Sequence, residues 1–252
     1  MIALILIIAQ AQLFSDANAA YLGGDVPRAT QAYEALVSEG VTSTTLETNL
    51  GAAYLRQGKR GLAALHFERA LFLDAGDDDA RADLLELRRG NVDKLEGEIH
   101  KGGTETVARV LAPLPGTVAA VLFLLTWIAA WTLLGMRLLM LGKRPLGPWA
   151  IISFAVAILS ALVTWGAAEG RKLALQRAVV VAPSAAAREG PQEKAVSHFE
   201  IHEGTTVRVE DEDGSFRRVK LANGLTGWIP AGAVELVVPP GWAGRPLLAT
   251  QP

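Results

Sequence analysis

The sequence predicts a multidomain chain: an all-α array of paired-helix repeats, a two-helix transmembrane hairpin and a small all-β barrel. Three observations carry this. The first segment matches itself at a shift of 34 residues. Two uncharged stretches of about 20 residues follow, each long enough for a hydrocarbon core about 30 Å thick. After them, short apolar–polar alternations are separated by turn signals. Composition agrees. The 252 residues are 50% hydrophobic and 20% charged, with a mean hydropathy of +0.27, too apolar for a disordered chain and more apolar than an ordinary soluble one. A net charge of -2 argues against nucleic acid as a partner, since phosphate binding needs a basic excess. The chain has no cysteine, which excludes disulfides, zinc–thiolate sites and thiol nucleophiles.

Residues 1–11, MIALILIIAQA, have the length of a signal-peptide core, and Ala9-Gln10-Ala11 is a small-x-small cleavage pattern. A signal peptide is expected, although no Lys or Arg precedes the run; a buried first helix is the other reading. The run is too short to span a bilayer.

Residues 12–100 carry the repeat. The shift pairs Ala17 with Gly51, Ala20 with Tyr54, Gly24 with Gly58, Ala29 with Ala63, Tyr33 with Phe67 and Leu36 with Ala70. Small residues fall where two helices cross closely, aromatics where the next layer is filled, and glycines at the turns. This layout at this period is the tetratricopeptide signature. Helices are expected at 13–23, 27–38, 45–57 and 61–73. Pro27 suits a first helical turn. Asp77-Asp78-Asp79 should open a capping helix from Ala80 to Leu95, because acids favour a helix N-terminus. About three repeats are wanted for stability, so this segment should be marginal alone or completed by a partner. Repeat position places Asn18, Tyr21 and Leu22 in a binding groove with Thr48, Asn49, Ala52 and Arg56, and adds Glu86 and Arg89 from the cap. Related repeat domains that grip a C-terminal carboxylate set such asparagines among basic residues. Here the matching positions hold Phe14, Asp79 and Asp83, and acids repel that ligand. A peptide or protein ligand remains.

A linker, 101–116, leads to the hairpin. Its spans are 117–136 and 149–168, with Trp131, Trp149 and Trp165 near their ends as interface anchors. Pro145 and Pro148 should keep the connecting link from becoming helical. Arg137, Lys143 and Arg144 favour a cytoplasmic link, but Arg171, Lys172 and Arg177 nearly balance them. The signal peptide decides the orientation: an inner-membrane protein with both aqueous segments outside the cytoplasm.

After a juxtamembrane segment, 169–177, residues 178–238 read as a barrel. Strands are expected at 178–182, 206–210, 216–221, 226–229 and 235–238, with 183–193 as a loop and Asn223-Gly224 as a hairpin turn. The run Glu203-Gly204-Thr205, Val207, Val209, Phe216 and Gly227-Trp228-Ile229 resembles bacterial Src-homology-3-like domains. That resemblance implies binding of cell-wall peptides or proteins through aromatics such as Phe216 and Trp228. The physical expectation is that both plug the barrel core, which a small barrel must fill. The tail, 239–252, is rich in Pro and Gly and expected to be loose.

No cofactor is implied. His198, Glu200 and His202 would share one strand face, but a metal site needs a fourth ligand and supporting shell. His66 and His100 are expected to be solvated. There is no phosphate loop and no nucleophile elbow, so the chain is expected not to be an enzyme.

The order of parts resembles the BatE-type proteins of the Bacteroides aerotolerance operons. Leu46–Gly51, Ala64–Leu71, Gly204–Val209 and Gly227–Pro230 carry the resemblance. It implies a stress-response role beside membrane-anchored von Willebrand A-domain proteins and a MoxR-type ATPase. The function expected is a membrane-anchored scaffold that binds envelope proteins through Asn18, Tyr21, Asn49, Arg56 and Arg89, with Phe216 and Trp228 as candidate contacts in the barrel. The alternative is peptidoglycan binding through the barrel.

Overall fold

A computed structural model describes residues 2–91, 116–139, 147–240 and 242. The expected linker before residue 116, His100, Lys143, Arg144, Pro145 and the tail from 243 lie outside them. The described residues form seven α-helices and a seven-stranded antiparallel sheet. They divide into two compact units. Helices α1–α5 and the whole sheet make one, and the two apolar helices make the other.

In the first unit α1 is Ile2–Leu22, α2 Val26–Ser38, α3 Thr44–Arg56, α4 Arg60–Leu73 and α5 Asp78–Arg89. The apolar opening and the first repeat helix are thus one continuous helix. The caps follow from the sequence. Asp25 accepts from Arg28 N, Ser43 from Leu46 N and Asp77 from Ala80 N, each side chain satisfying an N–H that has no partner in its helix. Gly24 and Gly58 sit at φ +86° and +75°, the left-handed region that lets the chain reverse between the helices of each pair. Helix α5 ends at Arg89, where Gly90 is the C-cap; residues 92–95 of the expected capping helix lie outside the described residues. Ala17, Tyr33, Leu36, Leu50, Ala53, Ala63 and Phe67 are buried in one core. At Gly51 an added Cβ would lie 2.7 Å from the Phe67 ring, so the second repeat crosses too tightly for any side chain there.

The strands are β1 Arg177–Val180, β2 Ser184–Arg188, β3 Ser197–His202, β4 Thr206–Asp213, β5 Phe216–Lys220, β6 Thr226–Pro230 and β7 Val234–Leu236. Their order is β3-β2-β6-β5-β4-β1-β7. Every strand sends a residue into one cluster, among them Val180, Ala187, Ile201, Val207, Val219, Ile229 and Val234. The pairing order has two ends, β3 and β7, so the sheet rolls around its core without the closed ring expected. Five strands were expected, and β2 occupies part of what reads as a loop. It holds three alanines because the sheet is tight there: a Cβ on Gly227 would lie 2.8 Å from that of Ala187. The Asn223-Gly224 turn forms as expected, with Gly224 at φ +89°.

The repeats and the sheet share a core. Val179, Val237 and Val238 join the helical cluster, with Val181 and Trp242 packed against it. The backbone of Gly61, in the first turn of α4, lies against the strand that leaves β1.

In the second unit α6 is Gly116–Leu139 and α7 is Gly147–Leu175. Among the described residues one helix is long and apolar enough to cross a membrane, Ile151–Leu175; Ala120–Met136 is a shorter apolar helix. Pro148 stands in the first turn of α7 and does not belong to the link, since a first-turn proline gives up no helical hydrogen bond. Thr126 Oγ1 and Ser160 Oγ lie 3.1 Å apart between the two helices, and Ala130 and Ala157 are fully buried.

Candidate functional site

Four of the predicted groove residues meet across α1 and α3. Asn49 Nδ2 donates to Asn18 Oδ1 at 3.0 Å. The Tyr33 hydroxyl, from α2 behind them, donates to the same oxygen at 2.6 Å. Toward the end of the helices the Arg56 guanidinium lies 4.3 Å over the Tyr21 ring, a cation–π pair. Asn18, Tyr21 and Asn49 are half-buried and Arg56 is exposed. Burial holds the Tyr33 phenol above its ordinary range, so it stays a neutral donor and fixes the Asn18 amide. These are two rungs of one ladder: a polar pair tied down from behind, then an aromatic–cation pair open to solvent.

Arg89 does not join them. It is exposed on α5 and pairs with Glu86 at 3.1 Å. Thr48 instead ties α3 to α5, donating to Asp77 Oδ2 at 2.9 Å. The α5 end of this face is acidic. Burial, with Asp79 and Asp77 nearby, raises the Asp83 carboxyl above its usual value. A ligand carboxylate at that end would meet like charge.

In the sheet, Trp228 is not a core plug. Its neighbours Gly227 and Ile229 are buried while Trp228 is half-exposed. Strand alternation puts it on the opposite face, opposite Arg218 of β5 and Arg188 of β2. The Arg218 guanidinium lies 6.0 Å from its ring and shares Glu210 with Lys220, at 3.7 and 3.6 Å. Phe216 is buried, though outside the sheet's own apolar cluster. The core-plug expectation is therefore corrected for Trp228 alone: the core position of β6 goes to Ile229, while Phe216 is buried as expected.

His66 is buried, not solvated: Nδ1 lies 2.6 Å from the fully buried Glu47 Oε2, and the ring stacks on Tyr54. Helix α4 lies between α3 and the sheet, which leaves its polar side chains little contact with water. His198 pairs with Glu189 at 2.7 Å. Among the described residues no three His, Asp or Glu side chains converge on a metal position.

The residues that sequence reasoning missed join helices to sheet. Glu203 Oε2 accepts from Gly61 N at 3.0 Å, capping α4, whose own N-cap Lys59 makes no side-chain bond. The adjoining Gly204 sits beside Leu87 and Asn91. Buried Glu68 accepts from Arg88, from Arg177 at 3.0 Å and from Thr206 at 3.1 Å. Buried Arg69 donates to the Val237 and Leu236 carbonyls, at 3.1 and 3.2 Å, and to Glu235 at 2.8 Å. A signal for this was present in Glu203-Gly204-Thr205, a motif that reads as barrel architecture yet meets α4 and α5. No family model matches the chain, and no curated protein matches it.

Proposed function

We propose that the chain is a non-catalytic membrane scaffold whose α1–α3 face binds an envelope protein. The Asn18–Asn49 and Tyr21–Arg56 rungs carry this reading. Both stand on the first helices of successive repeats, and the sheet packs on α4 and α5, so it leaves these rungs uncovered. Tyr and Arg are the side chains most enriched among binding hot spots. The asparagine amide edges not spent on each other suit a peptide backbone.

Membrane anchoring is supported by the long apolar α7 and by topology. The helices before α6 and the strands after α7 form one compact unit. The stretch between them must therefore cross a bilayer an even number of times, which argues that α6 spans as well. The N-terminal apolar run favours the extracytoplasmic side for that unit, in an inner membrane. On this reading the helical layers are tetratricopeptide repeats, the rolled sheet is a Src-homology-3-like module, and the resemblance to BatE-type proteins names the partners: membrane-anchored von Willebrand A-domain proteins of a stress complex.

The test uses the full chain, solubilised in mild detergent, as bait. Tyr21→Ala with Arg56→Glu should weaken capture of a von Willebrand A-domain membrane protein by about 2 kcal/mol, close to thirtyfold in Kd. Arg89→Glu should not. Unchanged capture by the folded double variant rejects the groove. Outward-facing Trp228 between two arginines favours a second reading, peptidoglycan binding. Co-sedimentation with cell-wall sacculi that Trp228→Ala abolishes would carry that reading instead.

A further inference from the structure

The geometry points to a third lipid contact: the first turns of α1 lie in the bilayer, and α1 is retained as one helix running from lipid into the first repeat. The inference rests on the membrane reading above. Ile5, Leu6, Ile7 and Ile8 are 61, 54, 44 and 60% exposed. Successive helical residues turn by about 100°, so these four point to all sides of the axis. A protein groove covers one stripe of a helix, and an apolar surface open all round is what lipid solvates. No charged residue occurs in 2–15. Residues 2–11 rise about 15 Å, half of a core about 30 Å thick, so the run enters one leaflet and does not cross.

Polarity changes where lipid would end. Gln10 Nε2 donates to Glu39 at 3.1 Å and Gln12 Nε2 to Asp16 at 2.9 Å. Beyond them the same helix is repeat structure: Leu13 and Phe14 pack on the helical core, Phe14 lies 6.0 Å from the Tyr33 ring, and Ala17 is 1% exposed. Cleavage after Ala11 would cut this helix within a turn of its packed face and remove the Gln10 contact.

The chain has no cysteine, so single cysteines report cleanly. Ile5→Cys, Leu6→Cys, Ile7→Cys and Ile8→Cys are made in the full chain, with exposed Ser15→Cys and Ala19→Cys as references. Each is held in phosphatidylglycerol–phosphatidylethanolamine vesicles and challenged with a membrane-impermeant maleimide. All four N-terminal positions should react at least tenfold more slowly than the references, and a fluorophore at each should be quenched by a nitroxide-bearing lipid. Protection at only one or two of the four shows a protein stripe and overturns the proposal. Full labelling at all four shows water and does the same. An intact mass starting at Gln12 in chain that stays with alkali-washed membranes rejects the retained helix while sparing the membrane reading. Release of the whole chain by that wash rejects both.

Discussion

Gly61→Ala should loosen the repeats from the sheet. A Cβ at this position would stand 2.8 Å from Val181 Cα, 2.9 Å from Val180 O and 3.1 Å from Val181 O. Ordinary carbon contacts lie near 3.5–4.0 Å, and all three neighbours are backbone, so no rotamer change relieves them. Helix and strand must part by roughly 0.5–1 Å at that contact, judged against the same contact range. Overpacking of this kind costs about 1–3 kcal/mol. The shift also weakens the Gly61 N–Glu203 bond, and bonds to charged groups contribute about 1.5–3 kcal/mol. Against this, alanine gains at most about 1 kcal/mol over glycine in a helix. With the bond lost in full, the balance is a loss of about 1.5–5 kcal/mol, the two costs less the alanine gain. Thermal melting of the solubilised chain measures it, and amide exchange in β1 and the first turn of α4 should quicken. Gly58→Ala is the control: its φ of +75° strains any side chain, but nothing lies within 4 Å, so it should destabilise without quickening β1. A Gly61→Ala protein as stable as the parent, with β1 exchange unchanged, refutes the reasoning.

Excising residues 12–100 should give a segment that is largely unfolded or self-associating, as the repeat count alone suggests. The physical reason is specific: it loses Val179, Val237 and Val238 from its core. Each buried valine contributes ~1.5–3 kcal/mol, together comparable with the ~5–15 kcal/mol of a whole domain. Adding the sheet back as a separate chain should restore a cooperative melt, and a high-melting monomeric segment would contradict this. Asp83 should give a pH signature. Its folded carboxyl is raised by burial and by Asp79 and Asp77, so between the unfolded value, about 3.9, and the folded one the native state binds more protons. Its part of the stability therefore falls as pH rises through that window and recovers as pH drops into it. Asp83→Asn should raise Tm at neutral pH and flatten that part of the profile; an unchanged profile would count against it.

The helices were legible because their signals are local. Asp25-Val26-Pro27 and Asp77 set the starts of α2 and α5 within a residue or two, and the period of 34 set the layers. β5 and β6 were legible for the same reason, through Asn223-Gly224. β2 was not, because Ser184-Ala-Ala-Ala has no strand character of its own and is a strand only where Gly227 and Ala187 bring two backbones close. Repeat register set Asn18, Tyr21, Asn49 and Arg56 on one groove, but their pairing and Tyr33 as support belong to tertiary packing and were not legible. The union of repeats and sheet left no local trace. Gly61 and Glu203 lie 142 positions apart, and the valines that bridge the two read as ordinary strand residues. Trp228 was misjudged because its neighbours fill the core in its place, which only the phase of β6 reveals.

Because α4 waits for Glu203 and Arg69 waits for Val237, this unit cannot close until the strands beyond the two apolar helices have been made. The early helices emerge first with one flank bare, and on the membrane reading proposed above the two apolar helices are threaded before the late strands arrive. Were a nascent chain to insert only one of those helices, its halves would be stranded in different compartments and neither could finish. On that reading the fold proofreads its own insertion: correct threading becomes the condition for covering the flank of α4 that Val179, Val237 and Val238 close.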